Sequence, residues 1–246
     1  MTWGVEAAGT GVAVAALAGG WARSQWSTSQ VWGRTLVDGP NGRELALTFD
    51  DGPNDRYTQE MLEKLAGANV RATFFFVGKY ARQLPWLVRQ VAEAGHVVGN
   101  HSLSHKNLVY MSGKQMRAEI SGCSAILEDA LGAPVHYFRP PYGGRRPAVL
   151  RAAREAGLQT VMWNSMGFDW RQDRAPKQIM KAVERGIRRN RKAGHGSTIL
   201  LHDGGPHTMS AERGRTVAAL GFLLERGPAA NYRFVTVNEW WPAPEA

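Results

Sequence analysis

Leu45-Ala46-Leu47-Thr48-Phe49-Asp50-Asp51-Gly52-Pro53 is an apolar run that stops at two adjacent carboxylates and a Gly-Pro pair. Because the run is short and bounded by a turn, we expect residues 44–49 to form a buried strand of an α/β domain. Asp50 and Asp51 then lie at the rim of the sheet. Adjacent carboxylates repel each other unless donors or a cation compensate, and a metal ion is the strongest such compensation. A plain turn or helix cap is the alternative interpretation, since Asp, Gly and Pro are all turn residues.

The chain outside this stretch alternates between strand and helix patterns. Apolar runs predict strands near residues 44–49, 72–77, 96–99, 135–138, 159–162, 198–201 and 233–237. Helical spacing of apolar residues predicts helices over 57–66, 85–94, 112–131, 147–156, 176–192 and 216–225. Such alternation indicates a parallel sheet, either a barrel or a doubly wound layer.

Length, charge and cysteine content narrow the class of protein. The 246 residues, 43% of them hydrophobic, suffice for one α/β barrel domain. With 30 basic and 21 acidic residues the formal charge is +9, which favours anionic surroundings such as nucleic acid, anionic lipid or acidic wall polymers without choosing among them. The single cysteine excludes an intrachain disulfide framework and a cysteine-rich zinc site.

The N-terminal region is rich in small residues. Residues 7–22 carry no charge but are too short and too weakly apolar for a typical membrane span, and the start of the chain lacks the basic residues of a signal peptide. Ala16-Leu17-Ala18 nevertheless resembles a cleavage pattern. We therefore expect export or attachment to the cell envelope rather than a cytoplasmic location, and the alternative for this segment is an ordinary Ala-rich helix packed on the barrel. The expected organisation is an arm and linker over 1–42, a catalytic domain over 43–240 and a tail over 241–246.

Polar residues follow the predicted strands at one end. They are Asp50 with Asp51, His101 with His105, Arg139, Asp169, and His202 with Asp203. Since ligands gather at the carboxyl ends of parallel strands, this convergence predicts an enzyme with its site at that rim.

Three of these groups suggest specific chemistry. His101 and His105 are four residues apart, so both imidazoles can meet one cation on a helical turn, and one added Asp leaves open positions of the kind found at catalytic metals. Arg139 can hold a carboxylate bidentately and keep it ionised as a base. His202 at a strand end beside a carboxylate is a natural proton donor at neutral pH. Solvated histidines and an ordinary salt bridge are the alternatives.

Taken together, the motifs resemble those of a known family. Thr48-Phe49-Asp50-Asp51-Gly52-Pro53, His101-Ser102-Leu103-Ser104-His105, Arg139-Pro140-Pro141-Tyr142-Gly143, Asp169-Trp170 and Leu200-Leu201-His202-Asp203 occur in order. They are similar to the five motifs of the polysaccharide deacetylases, the NodB homology domain or carbohydrate esterase family 4, over about residues 43–239. The resemblance implies a distorted (β/α) barrel with about seven strands.

The resemblance also implies a role for each motif residue. Asp51, His101 and His105 would bind a divalent metal, usually zinc, with cobalt or nickel as alternatives. Asp50 would be the general base held by Arg139, and the backbone N–H of Tyr142 would stabilise the oxyanion. His202, tuned by Asp169, would protonate the departing amine. Trp170, Leu200 and Pro141 would line the substrate pocket. One departure stands at Met166, where many members carry an acidic residue, which puts the shape of that pocket wall in question.

The implied activity is hydrolysis of N-acetyl groups on N-acetylglucosamine units of a peptidoglycan or chitin-like polymer or oligomer. Two other functions remain open: an O-acetyl esterase acting on xylan-like chains, and a non-catalytic carbohydrate-binding domain. The helix over 177–192 has a net charge of +6 and is either a solvated face or a contact for an anionic envelope surface. No recognised motif indicates nucleic-acid binding, and the sequence does not give the oligomeric state.

Overall fold

The computed structural model describes residues 26–243 as one parallel sheet covered by helices. The strands are β1 (Glu44–Gly52), β2 (Thr73–Phe76), β3 (Val97–Asn100), β4 (Tyr137–Phe138), β5 (Gln159–Thr160), β6 (Ser165–Met166), β7 (Ser197–His202) and β8 (Arg233–Val235). The α-helices are α1 (Tyr57–Gly67), α2 (Gly78–Ala81), α3 (Pro85–Glu93), α4 (Gly113–Leu131), α5 (Pro147–Glu155), α6 (Pro176–Lys192), α7 (Gly214–Ala229) and α8 (Val237–Trp240). Short 3₁₀ segments cover Leu108–Tyr110 and Pro141–Gly143.

The strands follow the order β5-β4-β3-β2-β1-β7-β6, and β8 pairs with the first part of β1. All pairs are parallel. Leu36 adds a parallel bridge to Val161 beside β5, and Gly39 accepts a hydrogen bond from Gly196 at the start of β7, so this segment crosses the open side of the sheet. The distorted (β/α) barrel with about seven strands is confirmed.

β1 lies at the centre of the sheet and is buried along its whole length. Alternate side chains of a strand face opposite sides. Leu45, Leu47 and Phe49 belong to the large core beneath the helices, whereas Ala46 belongs to the smaller cluster inside the barrel. The inner face of β1 therefore continues from Ala46 to Thr48 and Asp50, and it leads a carboxylate to the rim.

The α4 helix shows how local signals and packing agree. Ser112 caps its N-terminus in a capping box with Gln115, and Gly132 ends it in the left-handed conformation with φ 66°. Its buried Cys123 lies against the end of β2, where Sγ is 3.5 Å from the carbonyl oxygen of Phe76.

Several predicted boundaries were wrong. The strands predicted over 135–138 and 159–162 shrink to two residues each, because Val135 is buried in a loop and Val161 makes only an isolated bridge to Leu36. The last strand ends at Val235, and α8 begins at Val237. The sequence analysis missed β6 and α2 because both are very short.

The predicted signal or anchor over residues 7–22 lies outside the described residues. Between residues 26 and 243, no helix combines the length and apolarity that a membrane span requires.

Candidate active site

The carboxylates of Asp50 and Asp51 both face His101. Asp51 has a left-handed backbone with φ 74°, which turns its side chain away from the strand's alternation. As a result His101 Nε2 lies 3.7 Å from Asp50 Oδ2 and 3.3 Å from Asp51 Oδ1. Both carboxylates are at least 96% buried at the rim where β1 ends.

Asp51, His101 and His105 form a compact group of potential metal ligands. One ligand atom from each lies within 4.8 Å of the other two, and all three residues are buried. His105 Nε2 is 2.9 Å from Asp51 Oδ1. The expected helical turn was wrong: both histidines lie in the loop after β3, where Ser102 and His105 have positive φ values of 65° and 58°.

The donor set fits a divalent cation. His101 Nδ1 lies 2.7 Å from the carbonyl oxygen of Arg139, so it carries the proton and leaves the Nε2 lone pair facing Asp51. A hydrogen bond of this kind fixes the tautomer and orientation of metal-binding histidines. Two imidazole nitrogens and one carboxylate are the ligand types that zinc and similar metals take in catalytic sites.

Charges within this group are strongly coupled. Burial would raise the pKa of Asp51, but the two imidazoles beside it and the nearby charge of His202 hold the pKa well below its usual value. Burial lowers the pKa of His105, and repulsion from His101 adds to that effect while Asp51 opposes it. The carboxylate is therefore ionised, and the His105 imidazole is biased towards the neutral form that binds metals.

Arg139 is completely buried and holds Asp50. Its Nη1 donates to Asp50 Oδ1 and to Thr48 Oγ1, both at 2.7 Å. The expected bidentate contact was wrong, because Nε and Nη2 donate instead to the carbonyl oxygens of Val161 and Met162, each at 3.2 Å. The guanidinium also lies 4.2 Å above the Phe75 ring. This clamp leaves Asp50 Oδ2 free of Arg139 and facing the metal-ligand group.

His202 and Asp169 form a second ion pair across the rim. His202 Nδ1 is 2.9 Å from Asp169 Oδ1, and the His202 backbone N–H donates to Oδ2 at 2.9 Å. Thr216 on α7 donates to the same Oδ2 at 2.9 Å. Burial opposes protonation of His202, but the charge and hydrogen bond of Asp169 raise its pKa to about 9. His202 Nε2 takes no part in this ion pair.

Aromatic residues flank the two pairs and remain open to solvent. The Tyr142 ring packs edge-on against His105 at 4.7 Å and is 59% exposed, while Trp170 packs against His202 at 5.3 Å and is 44% exposed. Pro141 and Leu200 are buried beside them, and Leu200 pairs in register with Met166. The structure thus brings all the sequence-predicted site residues to one rim.

Two residues of the site were missed by the sequence analysis. Thr48 could have been found from the inner-face alternation of β1, since its hydroxyl accepts from Arg139 and donates to the carbonyl oxygen of Ile199 at 2.7 Å. Thr216 carries no motif signal, because it reaches Asp169 from a helix 47 residues further along the chain.

Comparison with known proteins identifies relatives along most of the chain. A family profile described as polysaccharide deacetylase matches residues 38–161. A peptidoglycan-N-acetylglucosamine deacetylase from Bacillus cereus is 36% identical over 203 residues, which cover 81% of this chain and 88% of the relative. A chitooligosaccharide deacetylase from Azorhizobium caulinodans is 34% identical over 191 residues, covering 75% of this chain and 88% of the relative.

Solved structures share the fold. A peptidoglycan N-acetylglucosamine deacetylase in complex with a substituted N-oxidanyl-benzamide superposes with a TM-score of 0.72 at 32% identity, covering 84% of this chain and 92% of that one. A CE4 family pseudoenzyme from Bacillus anthracis gives a TM-score of 0.73 at 25% identity, covering 84% and 68%. Overall similarity is therefore equal for an enzyme and a pseudoenzyme, and the residues of the rim must distinguish them.

Proposed function

Because the chain belongs to the polysaccharide deacetylase family, we propose that it hydrolyses N-acetyl groups of N-acetylglucosamine units in a glycan, with a divalent metal at Asp51, His101 and His105. The observation that carries this proposal is the convergence of three ligand atoms within 4.8 Å beside two separately held proton-transfer groups, Asp50 and His202. A carbohydrate-binding domain that had lost catalysis would have no need of this complete set.

The metal site is assigned to a buried carboxylate and two imidazoles whose ligand atoms converge. When bound, a divalent cation supplies Lewis acidity to the amide carbonyl oxygen and to the attacking water. Zinc is the metal we favour, since two imidazoles and a carboxylate are ligands that it commonly takes. Cobalt and nickel would suit the same donors.

Asp50 is the proposed general base. Arg139 occupies Oδ1 at 2.7 Å, so Oδ2 is the oxygen that would take a proton from the attacking water. The buried guanidinium orients the carboxylate and offsets its charge, which is otherwise costly in a site that excludes water. A positioned base typically contributes about 10² to 10⁴ in rate.

His202 is the proposed general acid. Asp169 accepts the Nδ1 proton, so Nε2 would give its proton to the departing amine as the C–N bond breaks. An amine is a poor leaving group, and this protonation is the step that amide hydrolysis requires and ester hydrolysis needs less. The raised pKa of about 9 keeps the acid protonated at neutral pH.

The remaining residues would shape the acetyl pocket. The backbone N–H of Tyr142, at a left-handed position with φ 59°, would donate to the oxyanion. Leu200 and Trp170 would line the apolar wall, and Pro141 would stiffen the loop that carries Tyr142. The open aromatic faces of Tyr142 and Trp170 suit the flanking sugar rings.

An acetate-release assay tests the proposal. Purified protein would be incubated with peptidoglycan, chitooligosaccharides and acetylxylan, with and without a chelator, and then reconstituted with zinc. We expect acetate from the N-acetylated glycans only, its loss on chelation and its return with zinc. Acetate release that survives both chelation and Asp50→Asn would refute the assignment.

The esterase alternative is tested through the acid. His202→Ala should abolish amide cleavage and spare much of any ester cleavage, because an alkoxide leaves with less assistance than an amine. If acetylxylan is the best substrate and His202→Ala retains its rate, the protein is an O-acetyl esterase instead.

Export or envelope attachment remains a proposal. It is supported by the wall-polymer substrates named for the relatives, and fractionation of cells producing the tagged chain would test it. Wholly cytoplasmic material would contradict it.

A further inference from the structure

Two adjoining clefts run beside helix α6, outside the proposed catalytic centre. The larger has a volume of about 690 Å³ and the smaller about 290 Å³. Both are lined by Ala182 and Arg185, so they form one continuous depression, here called the α6 groove. The groove follows α6 from Gln178 to Asn190, about 18 Å at the helical rise of 1.5 Å per residue. It is long enough for a segment of polymer.

The α6 groove carries an excess of positive charge. Its cations are Arg174, Lys181, Arg185 and Arg189. Lys181 and Arg185 are exposed and form no ion pair with any residue between 26 and 243.

The groove has two acidic residues against its four cations. Asp173 accepts a bidentate contact from Arg171, at 2.9 and 3.1 Å, and Asp38 lies 3.8 Å from the His195 ring. The free charge along the groove is therefore cationic, and it favours an anionic ligand.

Aromatic side chains line the same groove. Trp26 is 66% exposed, and its ring offers a face on which a sugar can stack. Trp163 also lines the cleft and adds a second aromatic ring.

The groove reaches the catalytic rim through one pair of rings. Phe168 lines the groove and packs on Trp170 at 5.5 Å, and Trp170 packs on His202 at 5.3 Å. A chain that presents its acetamide at His202 can therefore continue past Trp170 into the groove.

The combination of charge and stacking distinguishes the two glycans named for the relatives. Chitooligosaccharides are neutral and become cationic as they lose acetyl groups, whereas peptidoglycan carries carboxylates on its lactyl groups and peptides. We propose that the α6 groove binds the carboxylate-bearing portion of an acidic N-acetylated glycan of the peptidoglycan type. This inference rests on the proposed function, since the same molecule must reach the catalytic rim.

The test compares two double variants with the same change in net charge. Lys181→Gln with Arg185→Gln removes two exposed cations of the groove, whereas Arg82→Gln with Arg89→Gln removes two exposed cations at and next to α3 that are unpaired among residues 26–243. The substrates are a peptidoglycan tetrasaccharide with its peptides, the same tetrasaccharide with its carboxylates amidated, and tetra-N-acetylchitotetraose. KM and kcat would be measured at low and high salt.

For the groove variant we expect a KM about fivefold higher on the acidic tetrasaccharide at low salt, with kcat unchanged. The difference should shrink at high salt and vanish for both neutral substrates. Equal KM values for the two double variants on the acidic tetrasaccharide, or an equal change on the neutral ones, would overturn the inference.

Calorimetric binding of the acidic tetrasaccharide after chelation separates this inference from the proposed function. If no substrate is hydrolysed but the groove variant alone binds more weakly, the proposed function fails and the groove assignment stands. If hydrolysis is normal and binding does not differ between the variants, the groove assignment fails alone.

Discussion

Two Asp–His pairs with the same separation behave in opposite ways. Asp51–His105 and Asp169–His202 are both 2.9 Å apart and both buried at the rim. In the first pair the pKa of the histidine is lowered, and in the second it is raised to about 9. Distance to a carboxylate therefore does not decide whether a histidine serves as a ligand or as an acid.

Burial lowers the pKa of both histidines, and the two pairs differ in how many groups share each carboxylate. Asp51 serves two imidazoles, and the rings of His101 and His105 are 5.0 Å apart, so protonation of one opposes protonation of the other. Asp169 has a single imidazole partner and is further stabilised as an anion by Thr216 and by the charge of Arg213. A carboxylate shared between two histidines leaves His105 biased towards the neutral form that a metal ligand needs, and one reserved for a single histidine favours the protonated form that the proposed acid needs.

Removing Asp51, the carboxylate shared by two histidines, should have the largest effect on metal binding and activity. Asp51→Asn takes away one of three ligands and the charge that attracts a cation, so we expect divalent-metal affinity to fall at least about 100-fold and kcat/KM about 1,000-fold. Metal content after dialysis and initial rates measure the two effects. Asp129→Asn, an exposed carboxylate on α4, is the matched control and should change neither. Wild-type metal content in Asp51→Asn would show that the group is not the metal site.

Removing Asp169, the carboxylate that contacts His202 alone, should shift the alkaline limb of the pH–rate profile. The acid is active when protonated, so the rate falls as pH rises through the pKa of His202, about 9 before the repulsion of a bound cation lowers it. In Asp169→Asn the two largest raising influences are lost, burial is opposed only by the charges of Asp51 and Asp50, and the pKa of His202 should fall towards its ordinary value near 6.5. We expect kcat to drop about 10- to 100-fold at pH 8. An unchanged alkaline limb would remove His202 from the acid role.

The same pair makes a contribution to folding stability with a defined sign. Since the pKa of His202 is raised from about 6.5 to about 9 on folding, its contribution is complete below about pH 6.5 and is lost as pH rises through about 9. Thermal denaturation across that range should show a loss that Asp169→Asn lacks.

The smallest effect should come from Thr216 on α7, which donates to Asp169. Thr216→Val keeps the shape of the side chain but removes one hydrogen bond to Asp169. The carboxylate stays ionised and becomes a stronger hydrogen-bond acceptor for His202 Nδ1, so we expect the alkaline limb to move up by about half a unit or less, with kcat nearly unchanged. A pH–rate profile measures the shift, and Thr216→Ser should restore it. A shift as large as that of Asp169→Asn would show that Thr216 positions the pair rather than tuning it.

The candidate site could be predicted from the sequence because polar residues follow the apolar runs. Each polar group was found at the end of a strand, and parallel strands bring those ends together. Contacts with backbone groups far along the chain could not be predicted from the sequence. Arg139 holds only one oxygen of Asp50 because its other nitrogens donate to the carbonyl oxygens of Val161 and Met162, which only the fold brings near. The loop conformation of His105 was missed because four-residue spacing alone is equally typical of a helix.

Element prediction succeeded where local signals were redundant. Helix α6 was predicted with both boundaries correct, since Pro176 starts it and its apolar face repeats regularly. Strands β4 to β6 were the weak point. Their two-residue pairings depend on neighbours in the sheet, and burial in adjoining loops gives the same apolar pattern.

Cys123 is the only cysteine of the chain and is buried, so its chemical labelling can report how often the core opens. Cys123 faces the end of β2 from α4, and burial raises its pKa to about 12. An alkylating reagent meets neither a thiolate nor a path to sulfur until α4 leaves the sheet. The rate of labelling in the unaltered protein, divided by that of a free thiol, therefore reports how often the helix detaches.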